Sequence, residues 1–420
     1  MNTSSLNNFK QKALKWANNF DVCCYFDSNQ YHDQYGHFDC IIAAGVEKKI
    51  SLNSGNAFHA LKIFYENHKT WLFGFLSYDL KNEIEDLASL HPDHLGFPDL
   101  FFFIPKYIIG IQKNTMKILK GSPDIVEAIT QEKSDKINFS DSIEIKSRLT
   151  RQRYIEKIDY LKQHILRGDI YEVNFCQEFY ADNTSIDPLA VYQELNAISP
   201  TPFSGYFKIE DKYIISATPE RFICKRKNKL ISQPIKGTAK RQDNQELDLK
   251  AKAELKNDLK EQTENVMIVD LVRNDLTKSA TKGTVKVEEL FGIYSFPQVH
   301  QMISTISCEL DENIHFVDAL KNAFPMGSMT GAPKLRAMEL IDQYEESKRG
   351  IYSGSFGFIT PEGDCDFNVV IRTILYNSLN RYLSFQVGGA ITYQCTAEKE
   401  YEECLLKASA MIKVLKGRLF

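Results

Sequence analysis

A chain of 420 residues is longer than one hydrophobic core usually supports, so we expect either two domains or one large sandwich with interleaved halves. Hydrophobic residues make up 43% of the sequence and charged residues 25%, with a formal net charge of −4. This is the composition of an ordinary globular protein, and it excludes the basic face that nucleic acid binding requires. Small molecules are therefore the expected ligands.

The nine cysteines are odd in number and scattered, and no two of them form a C-x-x-C pair. Such a pattern is typical of free thiols in a reducing compartment. The first residues lack the apolar core of a signal peptide, and no stretch approaches the roughly 18 uncharged apolar residues of a membrane span. We therefore expect a cytoplasmic protein.

The first third of the chain predicts mainly structural elements. Residues 7–18 have the apolar spacing of an amphipathic helix, and buried strands are expected to recur as far as residue 112. The composition then becomes polar, which is typical of an excursion or connector. We therefore divide the chain into an N-terminal segment (1–119), a connector (120–148) and a C-terminal region (149–420).

After a predicted helix and several short strands, the C-terminal region reaches Lys236. This lysine lies between Pro234, whose φ is restricted, and Gly237, which permits a tight turn. A lysine fixed there could point inward, where burial or the cations of Lys240 and Arg241 would lower its pKa and free the amine to attack carbon. The same residues also suit a solvated basic loop, since lysines are rarely fully buried. Lys236 is thus a candidate nucleophile. Other parts of the sequence are needed to decide between the two interpretations.

Two later helices, predicted over residues 252–272 and 397–415, carry charged stripes. Carboxylates three residues apart share one helix face, so two facing helices could hold a hard cation such as Mg²⁺ with one or two carboxylates each. Such stripes are equally typical of a solvated helix face. The stripe residues are Glu261 and Glu264 on the first helix, and Glu400, Glu403 and Lys407 on the second.

Between these helices lies a glycine-rich loop, residues 327–334, that leads into a helix with Pro333 in its first turn. Amide N–H groups at such a start bind anions. The loop is not a phosphate loop, because Ala332 and Pro333 occupy places where that motif needs other residues, so a carboxylate is the better ligand. Arg372 is predicted to lie on an apolar strand over residues 368–373, where its planar fork would suit a carboxylate.

Six stretches of the sequence stand in the order that one protein family shows. They are Gly168-Asp169-Ile170-Tyr171-Glu172-Val173-Asn174, Thr218-Pro219-Glu220-Arg221-Phe222, Pro234-Ile235-Lys236-Gly237-Thr238, the run from Glu264 to Leu276, the loop from Gly327 to Lys334, and Glu400-Tyr401-x-Glu403. Together these motifs, over about residues 151–411, resemble the chorismate-utilising enzymes. The N-terminal third matches only loosely, through residues 74–79.

The resemblance implies an α+β protein with the chorismate-utilising enzyme fold, in which two packed, mainly antiparallel β-sheets have helices outside. It implies that the N-terminal segment (1–119) contributes to the sandwich and offers a candidate effector site, while residues 149–420 form the chorismate-binding catalytic region. We accordingly expect residues 1 to about 115 to close no separate core.

The lysine in Pro-Ile-Lys-Gly-Thr is typical of component I of aminodeoxychorismate (para-aminobenzoate) synthases, whereas anthranilate synthases have alanine there. The resemblance therefore implies amination of chorismate at C4 to 4-amino-4-deoxychorismate, a step of para-aminobenzoate and folate synthesis. In that chemistry Lys236 attacks the ring at C2, the 4-hydroxyl leaves with help from an acid, and ammonia adds at C4 and expels the lysine. The matching acid is Glu220, whose pKa would have to be raised.

The other site residues follow from the same resemblance. It implies Mg²⁺ as the cofactor, with Glu264 and Glu403 as ligands and Glu261 and Glu400 as further ligands or close neighbours. The residues implied to meet or orient the substrate carboxylates are Thr330, Gly331, Tyr352, Arg372, Gly388, Gly389 and Lys407.

Two positions depart from the family pattern. The chain has Val299-His300-Gln301-Met302 where the family commonly has Val-x-His-Leu, so the role of that histidine is open or has passed to its neighbour. Glu172 stands where amidating relatives often have glutamine and where isochorismate-forming relatives have a lysine base. A glutamate cannot replace that lysine, which disfavours isochorismate formation.

No Gly-x-Cys-x-Gly motif surrounds any of the cysteines, so we expect ammonia to come from a separate glutaminase subunit, component II. Component I of anthranilate synthase is the alternative enzyme. A non-catalytic chorismate-binding subunit is the alternative outside catalysis, and the intact Lys236, Glu220 and glutamate pairs weigh against it.

Overall fold

The computed structural model describes residues 3–133, 142–297 and 299–419. Residues 134–141 of the predicted connector therefore lie outside the described residues. The parts of the connector that are described contain a helix, Ile125–Gln131, and a strand, Glu144–Ser147.

The helices begin mostly at polar caps, as expected from the orphan N–H groups of a first helical turn. The helix predicted over residues 252–272 is in fact two, because Asp258 leaves the helical conformation and its side chain caps the second one. In chain order the helices are α1 (Thr3–Asn18), α2 (Ala57–His68), α3 (Lys81–Ile84), α4 (Ile125–Gln131), α5 (Arg151–Leu166), α6 (Pro188–Ile198), α7 (Gln245–Asn257), α8 (Leu259–Thr277), α9 (Phe316–Ala323), α10 (Lys334–Tyr344) and α11 (Ala397–Val414).

The strands come from every part of the described chain. In chain order they are β1 (Val22–Asp27), β2 (Cys40–Leu52), β3 (Leu72–Leu76), β4 (Leu100–Gln112), β5 (Thr115–Lys120), β6 (Glu144–Ser147), β7 (Glu172–Ala181), β8 (Ser204–Ile209), β9 (Lys212–Ser216), β10 (Arg221–Arg226), β11 (Lys229–Gln233), β12 (Ile235–Lys240), β13 (Lys286–Ser295), β14 (Val299–Glu309), β15 (Gly331–Ala332), β16 (Ser355–Ile359), β17 (Cys365–Asn368), β18 (Thr373–Asn377), β19 (Tyr382–Ile391) and β20 (Arg418–Leu419).

Hydrogen bonds connect these strands into two sheets that share a pair of long strands. The first sheet runs β5-β4-β2-β1-β8-β9-β18-β19-β7, with β6 and β15 on the outer edge of β7. The second runs β2-β4-β3-β16-β17-β10-β11-β14, and β12 and β13 also pair with β14. Each pairing is antiparallel except the short contact of β20 with β6. The predicted α+β architecture is confirmed.

The core has three layers because side chains alternate across each strand. A central cluster rich in phenylalanine fills the space between the sheets, and its rings include Phe73, Phe75, Phe101, Phe103, Phe207 and Phe356. The intervening residues point outward into two further clusters. One is covered by α1, α4, α5, α6, α10 and α11, and the other by α2, α8 and α9.

The N-terminal strands pair with strands from the second half of the chain. β1 lies between β2 and β8, and β3 lies between β4 and β16. All nine cysteines are buried free thiols, as expected from their spacing. Within residues 3–133, 142–297 and 299–419, none of the helices has both the length and the apolar character needed to cross a bilayer.

Candidate active site

Lys236 is the second residue of β12, and its side chain is only 11% exposed, so it does not belong to a solvated loop. Its Nζ donates to Oε1 of Glu172 at 2.8 Å. The next residue, Gly237, has a φ of +93°, and a Cβ there would lie 3.0 Å from Oε2 of Glu261 on α8. Glycine therefore permits both the left-handed backbone beside Lys236 and the close approach of α8.

The charged groups around Lys236 are carboxylates, whereas the sequence predicts neighbouring cations. Burial by itself lowers the pKa of Lys236, but the carboxylates of Glu172, Glu264 and Glu220 outweigh burial, and the pKa is raised. The prediction of a lowered pKa is therefore wrong. In the resting protein this lysine is an ammonium ion, so a proton must leave before its nitrogen can attack carbon.

The two cations that the sequence predicts near Lys236 do not lower its pKa. Lys240 is exposed at the end of β12. The guanidinium of Arg241 lies 2.9 Å from the carboxylate of Asp248 on α7. Neither side chain compensates for the carboxylates around Lys236.

Glu220 lies directly before β10 and is 4% exposed. Its carboxylate accepts hydrogen bonds from the hydroxyl of Ser328 and from the backbone N–H of Ile235. Burial nevertheless raises the pKa of Glu220 to about 7. A carboxyl group with this pKa is partly protonated at neutral pH, which is the direction that an acid requires.

Glu172 opens β7 and is 1% exposed. The glycine-rich loop lies against it through Gly331, whose φ is +154° and whose missing Cβ would stand 2.2 Å from the carbonyl oxygen of Glu172. One carboxylate oxygen of Glu172 accepts the hydrogen bond from Lys236. The other, Oε2, is buried and has no hydrogen-bond partner among the described residues.

The two glutamate stripes face each other, as the helix spacing predicts. Glu261 and Glu264 lie on α8, Glu400 and Glu403 lie on α11, and all four charges act on Lys260, whose pKa they raise against the effect of burial. The Nζ of Lys260 lies 3.6 Å from Oε1 of Glu264. Burial raises the pKa of Glu261 and Glu264, and together with repulsion from Glu403 it raises that of Glu400 to about 7.

These residues fit a hard divalent cation in donor type and in charge. Carboxylate oxygens are the ligands that Mg²⁺ prefers, and the raised pKa values mark negative charge that a cation would relieve. Across the described chain, no three side chains of His, Cys, Asp or Glu converge as a complete metal centre does. The set therefore fits Mg²⁺ held by one or two carboxylates and completed by oxygens of water or substrate.

Arg372 does not lie on a strand, which corrects the prediction. It occupies the break between β17 and β18 with a φ of +49°. Burial lowers the pKa of Arg372, and the charge of Glu220 opposes that shift. Its guanidinium makes no hydrogen bond or ion pair with another described residue, and it lines a small cleft with Gln301 and Pro219. It is thus a cation with capacity for an anionic ligand.

Tyr352 and Thr330 already form bonds within the protein. The segment around Tyr352 is a turn before β16. The Tyr352 hydroxyl is buried 3.3 Å from Sγ of Cys176, and the Thr330 hydroxyl lies 3.3 Å from the carbonyl oxygens of Met326 and Gly327. Either hydroxyl would have to exchange an internal bond to contact a substrate.

Gly388 and Gly389 lie near the end of β19, directly against α11. The Nζ of Lys407 donates to the carbonyl of Gly388 at 3.0 Å and lies 2.7 Å from Oε1 of Glu403. A Cβ on Gly389 would stand 3.2 Å from Oε2 of Glu400. The paired glycines therefore bring the backbone of β19 into contact with the charged stripe.

The sequence alone assigns no definite role to three residues in or beside this site. Ser328 bonds to Glu220, Lys260 faces the four glutamates, and Gln301 is 2% exposed with an Oε1 that lacks a hydrogen-bond partner among the described residues. The spacing of Lys260 four residues before Glu264 was a usable signal. The adjacent His300 faces away, with its Nε2 3.0 Å from Oδ1 of Asp248.

Comparison with known proteins supports the interpretation of the motifs. A model of the chorismate binding enzyme family matches residues 21–413. Aminodeoxychorismate synthase component 1 of Escherichia coli (strain K12) is 35% identical over 347 residues, which cover 81% of this chain and 76% of that protein. Anthranilate synthase component 1 of Thermus thermophilus is 33% identical over 356 residues, with 81% of this chain and 76% of that protein covered.

The fold is likewise similar to solved structures. Anthranilate synthase component I from Streptococcus pneumoniae TIGR4 superimposes with a TM-score of 0.78 at 24% identity, covering 91% of this chain and 93% of that chain. The menaquinone-specific isochorismate synthase of Escherichia coli gives a TM-score of 0.75 at 15% identity, with 96% and 91% covered. The family match and the identities above show that the chain belongs to the chorismate binding enzyme family and is a chorismate-utilising enzyme.

Proposed function

We propose that this enzyme is the synthase component of an aminodeoxychorismate synthase and aminates chorismate at C4 to give 4-amino-4-deoxychorismate. The observation that carries the proposal is the placement of a nearly buried Lys236 beside two buried carboxyl groups, Glu172 and Glu220. The resemblance described above gives anthranilate synthases alanine at this position. Relatives named aminodeoxychorismate synthase component 1, at 35% and 34% identity, support the same activity.

In the first half of the proposed reaction, the neutral amine of Lys236 attacks C2 of chorismate. The ring double bonds shift, and the bond from C4 to its hydroxyl breaks. Glu220 gives its proton to that hydroxyl, which leaves as water. The pKa of about 7 keeps a fraction of Glu220 protonated for this step.

In the second half, ammonia adds at C4, the double bonds shift back, and the lysine nitrogen leaves C2 with its bonding electron pair. The new group at C4 is first an ammonium, and Glu220, now a carboxylate, takes one of its protons. Lysine and acid are thereby restored, and one ammonia has replaced one hydroxyl. The lysine acts as a temporary nucleophile that blocks C2.

We propose Mg²⁺ as the cofactor, with Glu264 and Glu403 as ligands and with Glu261 and Glu400 as further or neighbouring groups. The ion, when bound, would supply positive charge to a carboxylate of the substrate. Surplus negative charge in this cluster supports the assignment, because burial and repulsion disfavour the ionised carboxylates in its absence.

The proposed substrate contacts come from several elements of the C-terminal region. Arg372 offers a guanidinium that has no other ionic partner in the described chain, which suits a carboxylate. Lys407 can exchange its contact with Gly388 for a second anionic group. The remaining proposed contacts are Thr330, Gly331, Tyr352, Gly388 and Gly389.

We further propose that a glutaminase subunit supplies the ammonia. The relatives named component 1 imply a second component. The cysteines of this chain are all buried free thiols, and none stands in the Gly-x-Cys-x-Gly context of an activated nucleophile. Ammonia released from glutamine would then have to reach the site from a partner protein.

The test is to incubate the purified chain with chorismate, Mg²⁺ and ammonium, and to identify the product by mass and chromatography. We expect 4-amino-4-deoxychorismate without any partner, since ammonium replaces the glutaminase. Anthranilate as the main product would favour anthranilate synthase component I. Unchanged chorismate, with retained binding, would indicate a non-catalytic subunit.

A further inference from the structure

The reaction proposed above leaves one proton without an acceptor. Lys236 rests as an ammonium among carboxylates, and it must become a neutral amine before it can attack C2. The groups that face it are Glu172 from β7, Glu220 before β10, Glu264 from α8 and, further away, Glu403 from α11.

We propose that Glu172 is the general base that takes this proton from Lys236. Its Oε1 accepts a hydrogen bond from Nζ of Lys236 at 2.8 Å, so the path for the proton already exists in the resting protein. No role has been given to Glu172 in the reaction so far, and the inference rests on the proposed function.

The surroundings of Glu172 suit a base that loses its negative charge when it takes the proton. The residue is 1% exposed, its Oε2 has no hydrogen-bond partner in the described part of the chain, and Lys236 is the cation with which it pairs. A buried carboxylate with an unbonded oxygen is costly while it is charged. Transfer of one proton converts the ion pair into a carboxylic acid and a neutral amine, which removes the desolvation cost of both charges.

Glu220 is not available for this role. Its carboxylate is held by the Ser328 hydroxyl and the N–H of Ile235, and it must still carry its own proton to the leaving hydroxyl. Two carboxyl groups beside one lysine therefore have different roles. Glu220 gives a proton to the leaving group, and Glu172 removes one from the nucleophile.

The protons balance over the whole reaction. Glu172 becomes a carboxylic acid when Lys236 becomes an amine, and the attack leaves a secondary ammonium bonded to C2. When ammonia adds at C4, the lysine leaves as a neutral primary amine, and Glu172 returns its proton to restore the ion pair. No oxidant, reductant or further reactant is needed.

The test compares Glu172→Gln with Glu172→Asp in the full chain with chorismate, Mg²⁺ and ammonium, between about pH 6.5 and 9.5. Glutamine can accept the hydrogen bond but cannot take the proton. We expect Glu172→Gln to lower kcat at least about tenfold at pH 7.5, with little change in KM for chorismate, and Glu172→Asp to lie between it and the parent. Amidating relatives with glutamine at this position must pass the same proton to water or to another group. The ratio of variant to parent rate should then rise by up to about tenfold per pH unit, as solvent replaces the missing base.

Glu178→Gln is the matched control. Glu178 is a buried glutamate of the same strand, but it pairs with Arg148 at 2.8 Å and does not contact Lys236. Its variant should keep the parental pH profile. A second readout is the pH dependence with which a small acylating reagent labels Lys236, followed by mass spectrometry. Its midpoint should move to lower pH in Glu172→Gln, because a charged partner of the ammonium is lost.

Glu172→Gln at parental rate, or slowed by one constant factor at all pH values, would overturn the role of Glu172 as base. If the parent protein itself forms no 4-amino-4-deoxychorismate, the proposed function fails first, and this inference fails with it. If the parent forms that product and the variant matches it, only the inference about Glu172 fails.

Discussion

Two consecutive residues, Glu220 and Arg221, face two very different charged environments. The guanidinium of Arg221 forms bonds to Asp366 at 2.9 and 3.0 Å, to Gln233 at 2.7 Å and to Asp33. It is 1% exposed and also lies over a phenylalanine ring, with 4.7 Å from the guanidinium carbon to the ring centroid. On this side of the strand, the buried charge is fully matched.

The side that Glu220 faces is not matched. Around Lys236 the carboxylates outnumber the cations, and one buried oxygen of Glu172 has no hydrogen-bond partner among the described residues. Arg221 holds the pKa of Asp366 down despite burial, whereas burial pushes the pKa of Glu220 up to about 7. Complete pairing stabilises a fold, and incomplete pairing leaves groups that can exchange protons and bind ligands.

The largest expected effect is the loss of activity on substitution of Lys236. It would distinguish this lysine from charged residues that only stabilise the fold. Lys236→Ala should lower the rate of 4-amination by at least about 1,000-fold, because the nucleophile is lost. The space left near C2 should shift residual product toward 2-amination. Mass spectrometry after quenching should find a substrate adduct on the Lys236 peptide of the parent and none in the variant.

Lys240→Ala is the control for that experiment, since Lys240 is an exposed lysine of the same strand. It should keep the parental rate and the adduct. Parental 4-amination by Lys236→Ala would rule out covalent catalysis and reduce this lysine to a positioning charge.

A substitution among the paired charges around Arg221 should change the stability of the protein and not its chemistry. Asp366→Asn removes one charge from a buried group of ion pairs, and we expect it to lower the free energy of unfolding by about 3 kcal/mol. The pKa of Asp366 is lowered in the folded protein, so its contribution is present above about pH 4 and is lost as the pH falls below that value. Denaturant unfolding at pH 7.5 and at low pH measures both effects, and an unchanged midpoint would contradict this assignment.

The glutamate cluster should respond to magnesium. Glu264→Gln and Glu403→Gln should each lower activity about 100-fold at ordinary magnesium and recover part of it at higher concentration. Glu402→Gln, an exposed neighbour on α11, should behave as the parent. Full activity of both ligand variants in the presence of a chelator would contradict the assignment of a metal to this site.

The smallest expected effect is a shift of a pH profile. With rates expressed per free ammonia, kcat/KM should fall as the pH rises through about 7, because Glu220 loses the proton that it must donate. Ser328→Ala removes a hydrogen bond that stabilises the carboxylate, so it should move this limb to higher pH. A limb that stays in place or moves down would show that Ser328 does not act on Glu220.

Much of this site could be predicted from the sequence because its parts are local motifs. The spacing of Glu261 with Glu264, and of Glu400 with Glu403, sets one helix face without any tertiary information. Lys236 could be selected because proline and glycine around it restrict the backbone. In the structure both stripes face the strand that carries Lys236.

The sign of the pKa shift of Lys236 could not be predicted, because it depends on a contact between residues 64 positions apart. Glu172 is placed by β7, which pairs with β15 of the glycine-rich loop in a register that no local pattern encodes. Arg372 illustrates the same limit. Its apolar neighbours predicted a strand, but the chain passes there from β17 in one sheet to β18 in the other and needs a break.

The pairing of β3 with β16 also has a consequence for how the chain is made. Phe75 lies opposite Phe356, about 280 residues further along. At roughly 5–20 residues per second, a ribosome needs about 14–56 s to cover that distance. During this time one edge of an apolar strand, Leu72–Leu76, emerges without its final neighbour and is open to association with other nascent chains. The strand Leu72–Leu76 therefore depends for one of its two edges on a partner that is made close to the end of synthesis.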